Sequence, residues 1–171
     1  GVVPGMVMFQ LLNKSLSPQE LGTGFETTEI LKGFEFGMSF VPFIGMIIVL
    51  ASAYRLAKFN IDIRQTENFI GLPTPANTLL IISLPLIFQY QYSPLIEHVI
   101  FNHWFLITLT IVSSFLLNAE IKLFSLKFKT WDFNSNQARY IFLALSLLAI
   151  IILKFIAIPL IIVLYILVSL L

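Results

Sequence analysis

Cysteine is absent from this 171-residue chain, and charge is scarce: Asp, Glu, Lys and Arg make up 11% of it. The first absence excludes disulfides and thiolate metal sites. The second excludes an ordinary soluble chain, in which about a quarter of the residues are charged. Net charge is only +1, so no global field draws the chain to nucleic acid, and no basic stripe marks a binding face. The signatures of soluble enzymes are missing as well: G-x-S-x-G, the P-loop, G-x-G-x-x-G and H-E-x-x-H do not occur. Neither an internal repeat nor a low-complexity segment is visible.

What is present is apolar. Hydrophobic residues make up 58% of the chain and mean hydropathy is +0.93. A protein this small cannot hide so many Leu, Ile and Phe side chains from water, so a bilayer has to solvate most of them. The expected fold class is therefore all-α, a polytopic integral membrane helical bundle in which residues 1–171 belong to one transmembrane domain. Hydropathy predicts spans at about 1–12 (partial), 37–57, 72–88, 104–119, 140–153 and 156–171. The first is only about 18 Å long as helix. The chain opens Gly-Val-Val-Pro, without an initiator Met or a charged leader, so it is expected to be a C-terminal part of a longer protein.

Several residues shape these spans. Gly37 and Gly45, then Ala53 and Ala57, recur at whole-turn spacings that let a neighbouring helix approach closely. Pro73 and Pro75 open the 72–88 span, Pro85 is a potential kink, and Trp104 stands where an interfacial ring belongs. Residues 140–171 are too long for one span, about 48 Å as helix. Lys154 and Pro159 divide them, which predicts two short helices joined at Lys154. Between the spans, 13–36 reads as a Glu-rich loop with turns at Gly22 and Gly24 and a cap at Thr27–Glu29. Residues 89–103 read as a short aromatic-flanked loop, and 120–139 as a basic one. Lys and Arg concentrate around Arg55–Arg64 and Lys122–Arg139, which places that face in the cytoplasm.

The chemistry-bearing stretch is Ala53–Asn77, the most polar segment between two apolar runs. Arg55 and Lys58 are three apart and share a helix face, and Asn60 follows near the helix end. Such cations can be plain interfacial anchors. Arg55, however, precedes Leu56 and Ala57 and so sits about a turn inside the boundary, where its planar fork suits a carboxylate or phosphate. Thr74 and Asn77 either present polar groups to the same site or cap backbone freed by Pro73 and Pro75. Asn118 and Glu120 either face the site or reach the headgroups, and Arg64 and Gln65 read as solvated loop. His98 and His103, five apart, do not share a face and read as loop residues rather than a metal pair.

Three blocks, GVVPGMVMF, ASAYRLAKFNIDIRQTENFIGLPTPAN and KLFSLKFK, resemble the bacterial phosphatidylserine synthases of the CDP-alcohol phosphatidyltransferase family. The resemblance covers nearly the whole chain and is most specific at R-L-A-K-F-N and F-I-G-L-P-T-P-A. It implies an enzyme of phospholipid biosynthesis in the bacterial inner membrane, active at the cytoplasmic face, with CDP-diacylglycerol and L-serine as substrates. It also implies membrane lipids as surroundings, a homodimer, and a divalent metal, Mg or Mn. The family's metal-binding signature, D-G-x-x-A-R-x8-G-x3-D-x3-D, does not occur here, so this chain is expected to hold no catalytic or metal-binding residue and to be inactive alone. Arg55, Lys58, Asn60, Thr74 and Asn77 are the residues expected to bind the acceptor. The alternatives are a small transporter subunit, a membrane scaffold, or a related transferase with another acceptor alcohol. A transporter would show inverted repeats, which are not seen, and a phosphorylated acceptor would call for more basic residues.

Overall fold

The computed structural model describes residues 1–16, 40–61, 69–123 and 137–170, and what it describes is mostly helical. Helix α1 is Val2–Leu16. A 3-10 turn, Val41–Met46, leads into α2, Ile47–Ile61. Helix α3, Thr74–Tyr90, follows. Next come α4, Pro94–Ile100, and α5, His103–Asn118. The last two are α6, Gln137–Leu153, and α7, Ala157–Leu170. One antiparallel bridge, β1 (Phe69–Ile70) against β2 (Lys122–Leu123), pairs Phe69 with Leu123 and Ile70 with Lys122. The Glu-rich segment 17–39 with its glycines, Arg64, Gln65, and most of the KLFSLKFK block lie outside the described residues.

Small residues set the tightest packing. A Cβ on Gly45 would lie 2.6 Å from the Phe9 backbone nitrogen, and one on Gly5 2.4 Å from a Val49 methyl. Gly1 abuts Ser52 in the same way, so α1 runs antiparallel to the 3-10 turn and α2 at backbone contact distance. Ala53 and Ala57, by contrast, are exposed and mark no such seam. One core cluster joins Met8, Leu11 and Leu12 of α1 to Ile48, Ile81, Leu84 and Leu106. A second joins Leu72, Leu80 and Leu123 to Phe142, Ile162 and Tyr165.

Two stretches, Val41–Asn60 and Arg139–Ser169, are long and apolar enough to cross a membrane. A third qualifies if α4 and α5, bent by 58°, count as one span. The Arg139–Ser169 stretch is not a straight rod. The rings of Phe142 and Tyr165 are 5.9 Å apart, whereas a straight helix would separate them by about 34 Å. The chain doubles back through a 3-10 turn at Lys154–Ile156, where Lys154 has a φ of 51°. Gln91, just beyond α3, caps this reversal from both sides. Its Nε2 donates to the Leu153 carbonyl at 3.0 Å, and its Oε1 accepts from the Ile156 N–H at 3.1 Å. Tyr90 stacks on Phe155 beside it.

The segment read from sequence as a loop, 89–103, contains α4. Pro94 begins this helix and Glu97 lies in its first turn, both favourable at a helix start. Seven residues are too few for helical periodicity to stand out from a loop.

Candidate functional site

The end of the bundle where α2 and α5 finish and α3 begins is held by polar contacts at three successive levels. Ala51, Arg55 and Lys58 occupy one face of α2, at spacings of four and three residues. At the deepest level the Asn118 Nδ2 donates to the Ala51 carbonyl at 3.1 Å and to the Ser114 carbonyl at 3.2 Å. One turn outward, the Arg55 guanidinium bridges two segments: Nη1 donates to the Leu117 carbonyl, and Nη2 to the Gly71 carbonyl at 3.2 Å. Outermost, the Lys58 ammonium pairs with Glu120 at 3.1 Å, with Glu120 largely exposed.

Arg55 is thus half-buried and bonded to two backbone carbonyls rather than directed into bulk water. The final carbonyls of a helix have no intrahelical partner and carry its negative end, and a guanidinium answers both conditions at Leu117. The approach of chain to cation requires glycine at position 71. Its φ is +74°, and a Cβ there would lie 2.7 Å from Arg55 Nη1 and from the Leu117 carbonyl oxygen. Backbone bonds from Gly71 N–H to the Ile121 carbonyl and from Leu72 N–H to the Leu116 carbonyl, both 2.8 Å, complete the knot.

Inward of this knot, each of the three helices carries a buried polar side chain. Asn77 is fully buried, one turn into α3, and neither its Nδ2 nor its Oδ1 has a hydrogen-bond partner. Ser52 precedes Arg55 by one turn, and Ser114 precedes Asn118 by one turn. Both hydroxyls are buried and unpartnered, as is the Asn118 Oδ1. Among the described residues only the Ser146 hydroxyl shares this condition elsewhere. Native interiors rarely leave such groups unpaired, because each costs about 1–3 kcal/mol. These side chains carry neutral donors and acceptors, and the Arg55 guanidinium has further N–H groups to give beyond its two carbonyl bonds.

Of the residues singled out by sequence, Arg55 and Lys58 both lie at this end, Arg55 bonded to the end of α5 and to Gly71, and Lys58 paired with Glu120 just beyond α5. Asn60 is exposed in the last turn of α2. Thr74 begins α3, and its carbonyl accepts from the Thr78 hydroxyl at 2.9 Å. Neither Thr74 nor Asn77 caps the helix through its side chain, and the N-cap position is Pro73. Asn118 turns inward rather than toward the headgroup level. Ser52 and Ser114 escape sequence reading, since single serines in apolar helices are ordinary.

Among the described residues no three of His, Asp and Glu converge, and Glu120, the carboxylate described at this end, is paired with Lys58. No family model, no curated protein and no solved structure matches the chain.

Proposed function

We propose that this chain is a polytopic bundle of the bacterial inner membrane whose Arg55 end holds a small polar guest at the cytoplasmic headgroup level. On the resemblance to phosphatidylserine synthases, the guest is L-serine, and the chain forms the acceptor side of a CDP-diacylglycerol–serine O-phosphatidyltransferase. The observation that carries this reading is Asn77, fully buried near the start of α3 with both amide atoms left without hydrogen-bond partners.

In the reaction, the serine hydroxyl oxygen forms a bond to the β-phosphorus of CDP-diacylglycerol and gives up its proton. The bond from that phosphorus to CMP breaks, leaving phosphatidylserine in the bilayer. On the same resemblance, an Asp signature that does not occur in this chain would hold Mg or Mn and take the proton, and the enzyme would be a homodimer. This chain's own residues bind and orient. Asn77 supplies the polar contact to the acceptor. Arg55 fixes the Gly71 turn that aims α3 and adds positive charge for the serine carboxylate. Lys58, Asn60 and Thr74 line the mouth.

The test is incorporation of labelled serine into chloroform-soluble lipid by membranes carrying the full reading frame with CDP-diacylglycerol. Asn77→Ala is expected to raise the serine KM at least tenfold, with the KM for CDP-diacylglycerol little changed. Equal serine kinetics in variant and parent would remove Asn77 from the site. Failure of the full reading frame to use serine at all would remove the reaction.

A further inference from the structure

At the opposite end of the bundle from Arg55, α4 carries three kinds of side chain in three sectors. Ile96 and Ile100 face the core, and Ile100 is almost fully buried. Leu95 and Val99, four residues apart, form an adjoining apolar strip that is 79% and 50% exposed. Glu97 and His98 take the remaining arc of the helical wheel. The apolar arc therefore extends well past what the core uses. Around this helix stand exposed amphipathic rings: Trp104 at 69%, Tyr90 at 63% and Tyr92 at 61%. Lys154, at the tip of the α6–α7 reversal, is exposed, and Gln91 ties that tip to the same corner. Lys14 lies over the Phe88 and Phe101 rings nearby, at 5.2 and 4.9 Å.

From this we infer that α4 lies flat in the headgroup region of the far leaflet, with Leu95 and Val99 in the acyl boundary and Trp104 marking the interface. The partner is a lipid surface, and the inference rests on the membrane reading above. Three features favour lipid over a protein partner. Exposed apolar side chains are not confined to α4 but recur along α5 at Phe105, Val112 and Phe115. Its rim has the aromatic and cationic character of a membrane interface. The 58° bend between α4 and α5 tips α4 away from the direction of the span and toward the membrane plane. The slab between this corner and the Arg55 knot follows from α3 and α5, about 25 Å of helix each against a hydrocarbon core of about 30 Å. A slab that short makes interfacial anchoring of its end favourable.

Trp104 supplies the probe, in a Trp131→Phe background so that it is the one tryptophan, with the protein in phosphatidylcholine vesicles. Lipids brominated at carbons 6 and 7 are expected to quench most of its emission. Lipids brominated at 11 and 12 should quench less, and aqueous iodide little. Leu95→Glu with Val99→Glu is expected to lift the corner and expose Trp104 to iodide. Strong iodide quenching in the parent, or strongest quenching by the deep bromines, overturns the inference. Should Trp131→Phe not fold, the difference in quenching between the native chain and Trp104→Phe reads the same quantity. Flotation of the protein with the vesicles is measured in parallel. A chain that floats but shows an iodide-exposed Trp104 refutes the α4 placement alone, and a chain that does not float refutes the membrane reading as well.

Discussion

Asn77 sits on the buried face of α3 with Leu80 and Ile81 and contributes no side-chain hydrogen bond to the fold. Replacing it by Leu, which branches at the same carbon but is bulkier, removes unpaired polar atoms without opening a cavity. We expect Asn77→Leu to raise stability by at most about 1–3 kcal/mol in denaturant unfolding of the detergent-solubilised protein, the added bulk offsetting part of the gain, and, on the proposed function, to depress serine transfer. A loss larger than the about 1–3 kcal/mol that overpacking costs would show instead that the amide is satisfied in the folded protein. Gly71 predicts the opposite sign: Gly71→Ala brings a Cβ against Arg55 Nη1 in a left-handed conformation, and should cost about 1–3 kcal/mol in the same measurement. A third test concerns Tyr92, whose hydroxyl donates to Glu97 at 2.6 Å. That bond and the carboxylate's charge push the phenol above its ordinary value. A raised phenol contributes stability below its unfolded-state value and loses it as pH climbs through the folded one. Ultraviolet titration should therefore show one tyrosine ionising later than in Glu97→Gln. At this scale the sequence was partly readable. Arg55 stood out because Leu56 and Ala57 follow it, but its partners are backbone carbonyls, which no residue letter announces.

Among the elements, the α6–α7 reversal depends on a single amide. Gln91 donates to one carbonyl of the turn and accepts from one of its N–H groups, tying both to the end of α3. Gln91→Leu is expected to cost about 1–3 kcal/mol, seen as faster amide hydrogen exchange confined to the Leu153–Ile156 turn. Exchange unchanged there would mean that Tyr90 stacking and lipid suffice to hold the tip. Lys154 was visible as an interruption of a long apolar run, yet nothing in the spacing from 91 to 154 marks Gln91 as its cap. The small helix α4 was hidden for a different reason: its apolar arc spans barely two turns, and its flanking proline and aromatics resemble those of a loop.

The whole molecule closes on its glycines. Gly45 meets the α1 backbone itself rather than a movable side chain, so the contact cannot yield by a change of rotamer. Gly45→Leu should part α1 from α2 and cost at least about 1–3 kcal/mol, read as a lowered thermal midpoint in detergent. A midpoint matching the parent would show that α1 is not clamped there. Gly45 was legible as a small residue in an apolar run, although Gly37, read with it, lies outside the described residues, and Ala53 and Ala57 lead to an exposed face, because periodicity does not say which neighbour arrives. The arrangement of α1, α2, α3 and α5 around two clusters was not legible, since long-range pairing leaves no mark on a hydropathy profile.

Doubling back at Lys154 fixes the parity of the chain. Gly1 abuts Ser52 at the Arg55 end, and Tyr165, past the reversal, packs with Leu72 and Leu123 at that same end. An even number of passes separates them, whereas an unbroken rod from Arg139 to Ser169 would make the number odd. Reporter groups attached before Gly1 and after Ser169 should consequently be reached by an impermeant reagent from one compartment only, and the same one.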